Sequence, residues 1–308
     1  MTSSYPVFIP TLNRYGHFRA CVESLSRCTR AAETELVVGL DYPPSEKYVE
    51  GWRRIREYLP TISGFNRVTV FEQTSNIGPT ANFNVLIKYC FEHYKACIFS
   101  EDDNVLAAGF LDYTNKALER FADNPRIVSV CGYSQQACEC SDKCRAYLTY
   151  DSCAWGMGLW RDKEAVVLSP LSEPGWVKSI VRRPMVLLRI LFTYPILLVM
   201  FLRGYFHGRR PGGDVMRTVY NFANRTYQLR PAKSLVRNCG QDGSGLHCAV
   251  NSAASQQKIS EAATFDFGDK PPRLRTRGMF WQGTESIRLV QWLRRHTRKE
   301  PVVLAKTV

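Results

Sequence analysis

Three consecutive carboxylates, Glu101-Asp102-Asp103, follow the apolar run 96–100 with no spacer. Like charges this close repel one another and must be solvated or paired with a cation. Hard oxygen ligands suit Mg2+ or Mn2+, an ion held by one or two carboxylates together with substrate phosphates. Such an ion would neutralise charge on a departing diphosphate. The plainer alternative is an acidic turn that caps the next helix. A position at the C-terminal end of a strand weighs toward ligand binding instead.

The strand ahead of these acids belongs to an alternating series. Residues 5–10 read as a short apolar first strand, followed by a loop over 11–16. Apolar residues at helical spacing occupy 17–28 (Phe18, Cys21, Val22, Leu25), and a second strand, 35–41, ends on Asp41. A helix over 46–58 leads to a third strand over 67–72. The helix over 82–94 gathers Phe83, Leu86, Ile87, Cys90 and Phe91 on one face. The fourth strand, 96–100, a helix over 110–122 and a fifth strand over 127–131 continue the rhythm. This alternation predicts an α/β fold, a Rossmann-like three-layer sandwich with a mostly parallel central sheet. Ligands on such sheets bind beyond the C-terminal strand ends, which selects Thr11, Asn13, Arg14, Asp41, the 73–82 loop and the acidic run.

The 308-residue chain is 45% apolar and carries a formal charge of +13. Residues 178–237 hold twelve Lys or Arg and one acid, Asp214; residues 273–299 hold eight and one acid, Glu285. These stretches contribute +11 and +7, which leaves −5 for the rest. Localised positive charge favours an anionic partner such as phospholipid, nucleic acid or a phosphorylated substrate, or else forms solvated basic faces. Nucleic acid is set aside: the acid-bearing strands belong to a net negative remainder, and there is neither zinc-finger spacing nor an aromatic RNP-like strand.

The N-terminus has no basic segment and no apolar core of a signal peptide. The expected compartment is therefore reducing and cytoplasmic, with the eleven cysteines as thiols. Cys138, Cys140, Cys144 and Cys153 cluster in sequence, either as loop thiols or as a zinc site lacking paired C-x2-C knuckles. The apolar stretch 190–202 contains Pro195 and is too short to span a bilayer. It reads as a buried helix or as an in-plane membrane segment between Arg182, Arg183, Arg209 and Arg210.

Five motifs in order resemble the GT-A glycosyltransferases of the family 2 type, the bacterial surface-polysaccharide enzymes, and the related N-acetylglucosaminyltransferase I group. They are Pro6-Val-Phe-Ile-Pro-Thr-Leu-Asn-Arg14 with the strand ending in Asp41; Thr74-Ser-Asn-Ile-Gly78 with Asn82; Phe99-Ser-Glu-Asp-Asp103; Ser152-Cys-Ala-Trp-Gly-Met-Gly-Leu-Trp160; and the segment Lys233 to Cys248, which contains Asn-Cys-Gly-Gln-Asp-Gly-Ser-Gly-Leu-His-Cys. The resemblance covers roughly residues 5–250.

It implies a GT-A domain over 1–270, with a nucleotide-sugar half (1–133) and an acceptor half (134–270), followed by a basic extension over 271–308. It further implies a donor site of Thr11, Asn13, Arg14, Asp41, Asn76, Gly78, Glu101 and Asp102, with Mn2+ or Mg2+ bound by Asp103 and His247. The implied reaction is inverting transfer from a nucleoside diphosphate sugar, UDP by family frequency, to a glycan or lipid-linked hydroxyl. A carboxylate must then take the acceptor proton. Asp214 matches the family's base, although Gly212-Gly213 stand where an aromatic often does. The alternatives are that Asp214 caps the following helix, with Asp151 as the base. Trp155 and Gly156 are the expected acceptor contacts, since aromatic faces pack on sugars and glycine permits close approach; core packing is the other use of such residues.

Beyond the resemblance, Ile287, Leu289, Val290, Trp292 and Leu293 oppose Arg288, Arg294, Arg295, Arg298 and Lys299, the pattern of a basic amphipathic helix on an anionic membrane. The expectation is a peripheral enzyme at the inner face of the membrane. A catalytically inactive sugar-binding relative is the alternative.

Overall fold

The sheet is laid down from β1 (Val7–Thr11), which pairs in parallel with β2 (Glu35–Leu40) on one side and β4 (Ala96–Phe99) on the other. The structure is a computed structural model, and it describes residues 4–134, 145–208, 211–240, 242, 257–269 and 271–275. β3 (Arg67–Glu72) extends the parallel set from β2. Alternate residues of these strands go to opposite faces, as the period of two requires. Val7, Ile9, Leu36 and Val38 join one core with residues of α1 (Tyr15–Ser26), α2 (Val49–Tyr58) and α4 (Phe110–Arg120). Phe8 and Val37 join another with Leu86, Ile87 and Cys90 of α3 (Gly78–His93).

The second half makes the sheet mixed. β8 (Met157–Trp160) lies antiparallel between β4 and β6 (Ile127–Cys131). β9 (Tyr227–Pro231) runs parallel to β6 and antiparallel to β7 (Ala146–Thr149). The short β11 (Arg273–Leu274) joins β7 at the edge, giving the order β11-β7-β9-β6-β8-β4-β1-β2-β3. β5 (Asn104–Leu106) and β10 (Val236–Asn238) form a separate antiparallel pair. The α/β layering follows the sequence rhythm; the antiparallel insertion at the centre had no counterpart in it.

A third apolar cluster is built by α5 (Arg161–Ser172), α6 (Trp176–Val181), α7 (Pro184–Thr193), α8 (Pro195–Phe206) and α9 (Gly213–Asn224). The run 190–202 is divided between α7 and α8 at Tyr194-Pro195, because a proline disfavours the helical conformation of its predecessor. Ile190, Tyr194, Leu197 and Phe201 are buried while Phe192, Val199 and Met200 are exposed, so the segment is part core and part surface. No described helix is long and apolar enough to cross a membrane. Helix α3 starts at Gly78, earlier than the predicted 82, for two reasons. Proline is pre-organised for a first helical turn, and the Asp41 carboxylate accepts the Ile77 and Gly78 N–H groups that an opening helix leaves orphaned.

Candidate active site

Chain continuation from β1 and β4 brings the first charged groups together. Ser100 follows β4 with its N–H bonded to Phe8 O at 3.1 Å, so the next residues emerge at the C-terminal edge beside the end of β1. There Thr11 Oγ1 donates to Asp102 Oδ2 at 2.9 Å. Arg14, at the start of α1, spans two acids: Nη2 contacts Asp102 Oδ1, and Nη1 lies 2.8 Å from Asp103 Oδ2. Burial works against the Arg14 charge, but Asp102 and Asp103 more than offset it and raise its pKa. Burial likewise pushes Asp102 upward against the pull of Arg14.

The third side of the site comes from β10. Its antiparallel register sets Asn238 opposite Asn104. From there Asn238 Nδ2 donates to Asp103 Oδ1 at 2.6 Å and reaches Asn104 Oδ1 at 3.2 Å and Glu101 Oε2 at 3.5 Å. Cys239 N–H donates to Asp103 O at 2.8 Å, and Gly240 N–H to Asn238 Oδ1 at 3.1 Å. A Cβ on Gly240 would stand 1.9 Å from Asp103 Oδ2, so only glycine admits this approach. Asn238 and Gly240 were not singled out from sequence; their signal was their place inside the Asn-x-Gly part of the C-terminal motif.

The charge of Asp214 is felt at Glu101. Burial first, then Asp103, Asp214 and Asp102, push the Glu101 carboxyl up to about 8, with Arg14 pulling the other way. Asp214 lies in the first turn of α9, whose N-cap is Gly212, so it is not the cap residue. The residue is half-buried, and burial is the largest influence on its carboxyl. Burial, followed by the charge of Asp151, pushes Asp214 up to about 6; Arg217, Arg230 and a hydrogen bond from the Ala154 backbone pull it down. Asp151 itself is fully buried with Arg230, whose Nη1 lies 3.5 Å from Asp151 Oδ2 and whose Nη2 donates to Asp151 O at 3.0 Å. Asp151 is thus a fixed charge behind Asp214, out of reach of a substrate.

The other sequence candidates stand around this centre. Asp41 accepts N–H groups from Tyr42 (2.9 Å), Ile77 (3.0 Å) and Gly78 (2.9 Å), and the Asn76 amide at 3.2 Å. The three residues predicted for the donor side here, Asp41, Asn76 and Gly78, therefore form one bonded loop on the same sheet edge as the acidic run, with β1 between them. The Asn13 carbonyl lies against Gly51 of α2, where a Cβ would come within 1.9 Å of it. Trp155 is half-buried, edge-to-face with Tyr133 at 4.6 Å between centroids, and its carbonyl accepts the Cys131 thiol at 3.2 Å. Gly156 has φ +69°, and its missing side chain leaves room for Phe110 and Val236, so it serves packing at this position. Cys153 is buried. His247, Cys138, Cys140, Cys144 and residues 276–308 lie outside the described residues.

The donor set fits a divalent cation in its charge. Glu101, Asp102 and Asp103 lie together with Arg14 as the guanidinium bonded to the run, and burial first, then the charges of Asp103, Asp214 and Asp102, raise Glu101. No group of three or more His, Cys, Asp or Glu disposed as a metal cage is found among the described residues. Mg2+-type sites commonly complete their shell with water and substrate phosphate rather than protein.

No family model matches the chain, and no curated protein matches it. Several solved structures are distantly similar. TarS of S. aureus aligns with a TM-score of 0.30 and 19% identity over 42% of this chain and 21% of that one. The mannosyltransferase PcManGT from Pyrobaculum calidifontis, solved with GDP-Man and Mn2+, aligns with a TM-score of 0.40 and 10% identity over 71% of this chain and 69% of its own. The bifunctional glycosyltransferase WbbM aligns with a TM-score of 0.26 and 15% identity over 45% and 24%. This chain thus spans about a fifth of TarS and a quarter of WbbM. Likenesses this distant carry no argument about activity, which has to rest on the residues themselves.

Proposed function

We propose that the chain is an inverting glycosyltransferase of the GT-A type. It moves a hexose or N-acetylhexosamine from a nucleoside diphosphate donor, UDP first among them, to a hydroxyl of a glycan or lipid-linked acceptor in surface-glycan biosynthesis. One observation carries this reading: the acidic run after β4 meets Thr11 and Arg14 at the end of β1 and Asn238 of the C-terminal motif, so that three of the resembling motifs join at one sheet edge.

In this reading Asp103 would bind Mn2+ or Mg2+ together with His247, and Glu101 and Asp102 would contact the donor ribose or arrange metal-bound waters. The cation, when bound, neutralises the diphosphate as it leaves. Arg14 adds a guanidinium, which pairs readily with phosphate oxygens. Thr11 and Asp102 fix Arg14 and the end of β1. The loop of Asn76 and Gly78 pinned by Asp41, with Asn13, borders the nucleotide. Asp214 accepts the proton of the acceptor hydroxyl as its oxygen forms a bond to the anomeric carbon and the bond to the phosphate oxygen breaks. A base with a pKa of about 6 is mostly ionised at neutral pH yet basic enough to take a proton. The Ala154 N–H orients it, and Asp151, fixed by Arg230, maintains its basicity. Trp155, next to Ala154, supplies an aromatic surface for a sugar.

A second reading, a sugar-binding relative without turnover, draws on Arg14, which already bridges Asp102 and Asp103. Calorimetric titration with UDP, with and without Mn2+, separates the two. Metal-dependent binding that disappears in Asp103→Ala supports the transferase. Equal binding with and without metal, and no UDP release from UDP-sugars in the presence of acceptors, supports the alternative.

A further inference from the structure

Helices α7 and α8 bury one face each and leave another open. On α7, Val186 and Ile190 enter the core, while Met185, Leu188, Leu191 and Phe192 are exposed, Phe192 to 81% and Met185 to 69%. On α8, Leu197 and Phe201 are buried, while Val199, Met200 and Phe206 are exposed, Phe206 to 74%. Single exposed apolar residues are ordinary on any protein; two consecutive helices carrying them at helical spacing are not.

The charge around them is one-sided. From Lys178 to Phe206 there are five Lys or Arg and no Asp or Glu. Lys178, Arg182, Arg183 and Arg203 are exposed, the middle pair directly ahead of α7 and Arg203 on α8. Glu173, near Gly204 and Tyr205, is an exposed acid beside this face, outnumbered by Lys178, Arg182, Arg183 and Arg203. Apolar side chains among mainly basic neighbours complement a surface that is apolar inside and anionic outside. The chain's own basic tail is a poor occupant, since residues 273–299 carry eight Lys or Arg against one acid and would meet like charge.

We infer that the α7–α8 hairpin is a bilayer-docking element. It lies in the plane of an anionic membrane, with Phe192, Leu188 and Met185 in the acyl boundary and Arg182, Arg183 and Lys178 against lipid phosphates. The hairpin packs on α9, the helix that bears Asp214, so docking holds that helix near the lipid surface. Where the proposed transfer holds, this is where a lipid-linked acceptor would arrive. The docking itself does not depend on that reading.

The test is co-sedimentation of the full chain with phosphatidylcholine vesicles, with and without phosphatidylglycerol, in the absence of any nucleotide sugar. The expected result is binding that requires phosphatidylglycerol, weakens as salt screens the surface charge, and falls roughly tenfold or more in Leu188→Glu/Phe192→Glu and in Arg182→Glu/Arg183→Glu. All four side chains are exposed, Leu188 to 44%, so unchanged melting temperatures should show that the variants fold. Absence of vesicle binding by the parent chain overturns the proposal. Wild-type binding by both variants assigns the affinity to the tail and overturns it as well. A parent dimer that becomes monomeric in Leu188→Glu/Phe192→Glu makes the face a contact between two copies and overturns it too. Since transfer is not assayed, failure here leaves the transferase reading intact, and failure of that reading leaves this one intact.

Discussion

The amide of Asn238 donates to Asp103 at 2.6 Å across 135 positions of sequence. Pairing of β10 with β5 makes this possible, since it sets Asn238 opposite Asn104 and brings the following turn onto the acidic run. A neutral donor there satisfies one oxygen of Asp103 while Arg14 satisfies the other. Both side-chain oxygens of this buried carboxylate thus have partners within the protein.

Gly240 is the steric condition of that turn. Gly240→Ala would set its Cβ 1.9 Å from Asp103 Oδ2 and 3.0 Å from Arg14 Nη1. The turn must withdraw or the salt bridge must break, at an expected cost of about 1–3 kcal/mol in urea unfolding together with weakened nucleotide binding. Gly212→Ala, where no atom lies within 4 Å of the new Cβ, is the control and should shift stability far less. Equal effects of the two substitutions would remove the steric argument.

Arg14→Ala leaves Asp102 and Asp103 with Thr11 and Asn238 alone. Breaking a largely buried pair leaves uncompensated charge, and a loss of about 2–4 kcal/mol is expected. Arg14→Lys should recover part of it, because an ammonium cannot span two carboxylates as a guanidinium does. If a cation can take up the same charge, Mn2+ should raise the melting temperature of Arg14→Ala more than that of the parent. A smaller Mn2+ effect in the variant would argue against a cation site at Asp103.

Asp214 should trade stability for chemistry. Its folded pKa of about 6 exceeds the ordinary 3.8, so between those values the folded state binds more protons than the unfolded chain. Stability contributed by this group is therefore lost as pH rises through that window. Asp214→Asn removes the buried charge and should gain about 1–2 kcal/mol at neutral pH, after allowance for the part of the residue that water reaches. The same change should lower kcat for transfer by roughly 100-fold or more. For the parent, log kcat/KM should climb with pH and level off above about 6. A stabilised Asp214→Asn that keeps its transfer rate would move the base elsewhere.

Asp41→Ala releases four donors at once, those of Tyr42, Ile77, Gly78 and the Asn76 side chain. The 76–78 loop and the first turn of α3 should loosen, seen as faster amide exchange at Ile77 and Gly78. A loss of about 2–4 kcal/mol is expected, in line with several unsatisfied donors near a carboxylate. A rise in KM for the donor with little change in kcat would mark a loop that borders the nucleotide. Unchanged exchange would mean that the loop is held by something other than Asp41.

The legible parts of the site lie close to their strands. Thr11, Arg14 and the run 101–103 could be placed from sequence because each ends or closely follows an apolar strand of a parallel set, whose C-terminal ends share one edge. Asp41 could be placed on that edge for the same reason, but its bonds to the 76–78 loop depend on how the chain after β3 returns. Asn238 escaped notice because its motif lies far from β4 in sequence and only the β5–β10 register joins them. The apolar stretch 190–202 left a buried helix and an in-plane membrane segment open in sequence, and which of its side chains are buried depended on a break at Tyr194-Pro195 and on packing against α9.

By itself the sequence determined what short-range physics controls: the strand and helix rhythm of the first 131 residues, the acidic run at a strand end, and the segregation of positive charge into two stretches. The tertiary structure decided what long-range pairing controls. It inserted β8 antiparallel into the sheet, faced Asn238 and Gly240 with Asp103, and brought the first turn of α9 near enough for Asp214 to help raise the carboxyl of Glu101, 113 positions away. Periodicity reports which face of an element is buried, but not which distant element buries it, and a shared electrostatic environment exists only once that second choice is made.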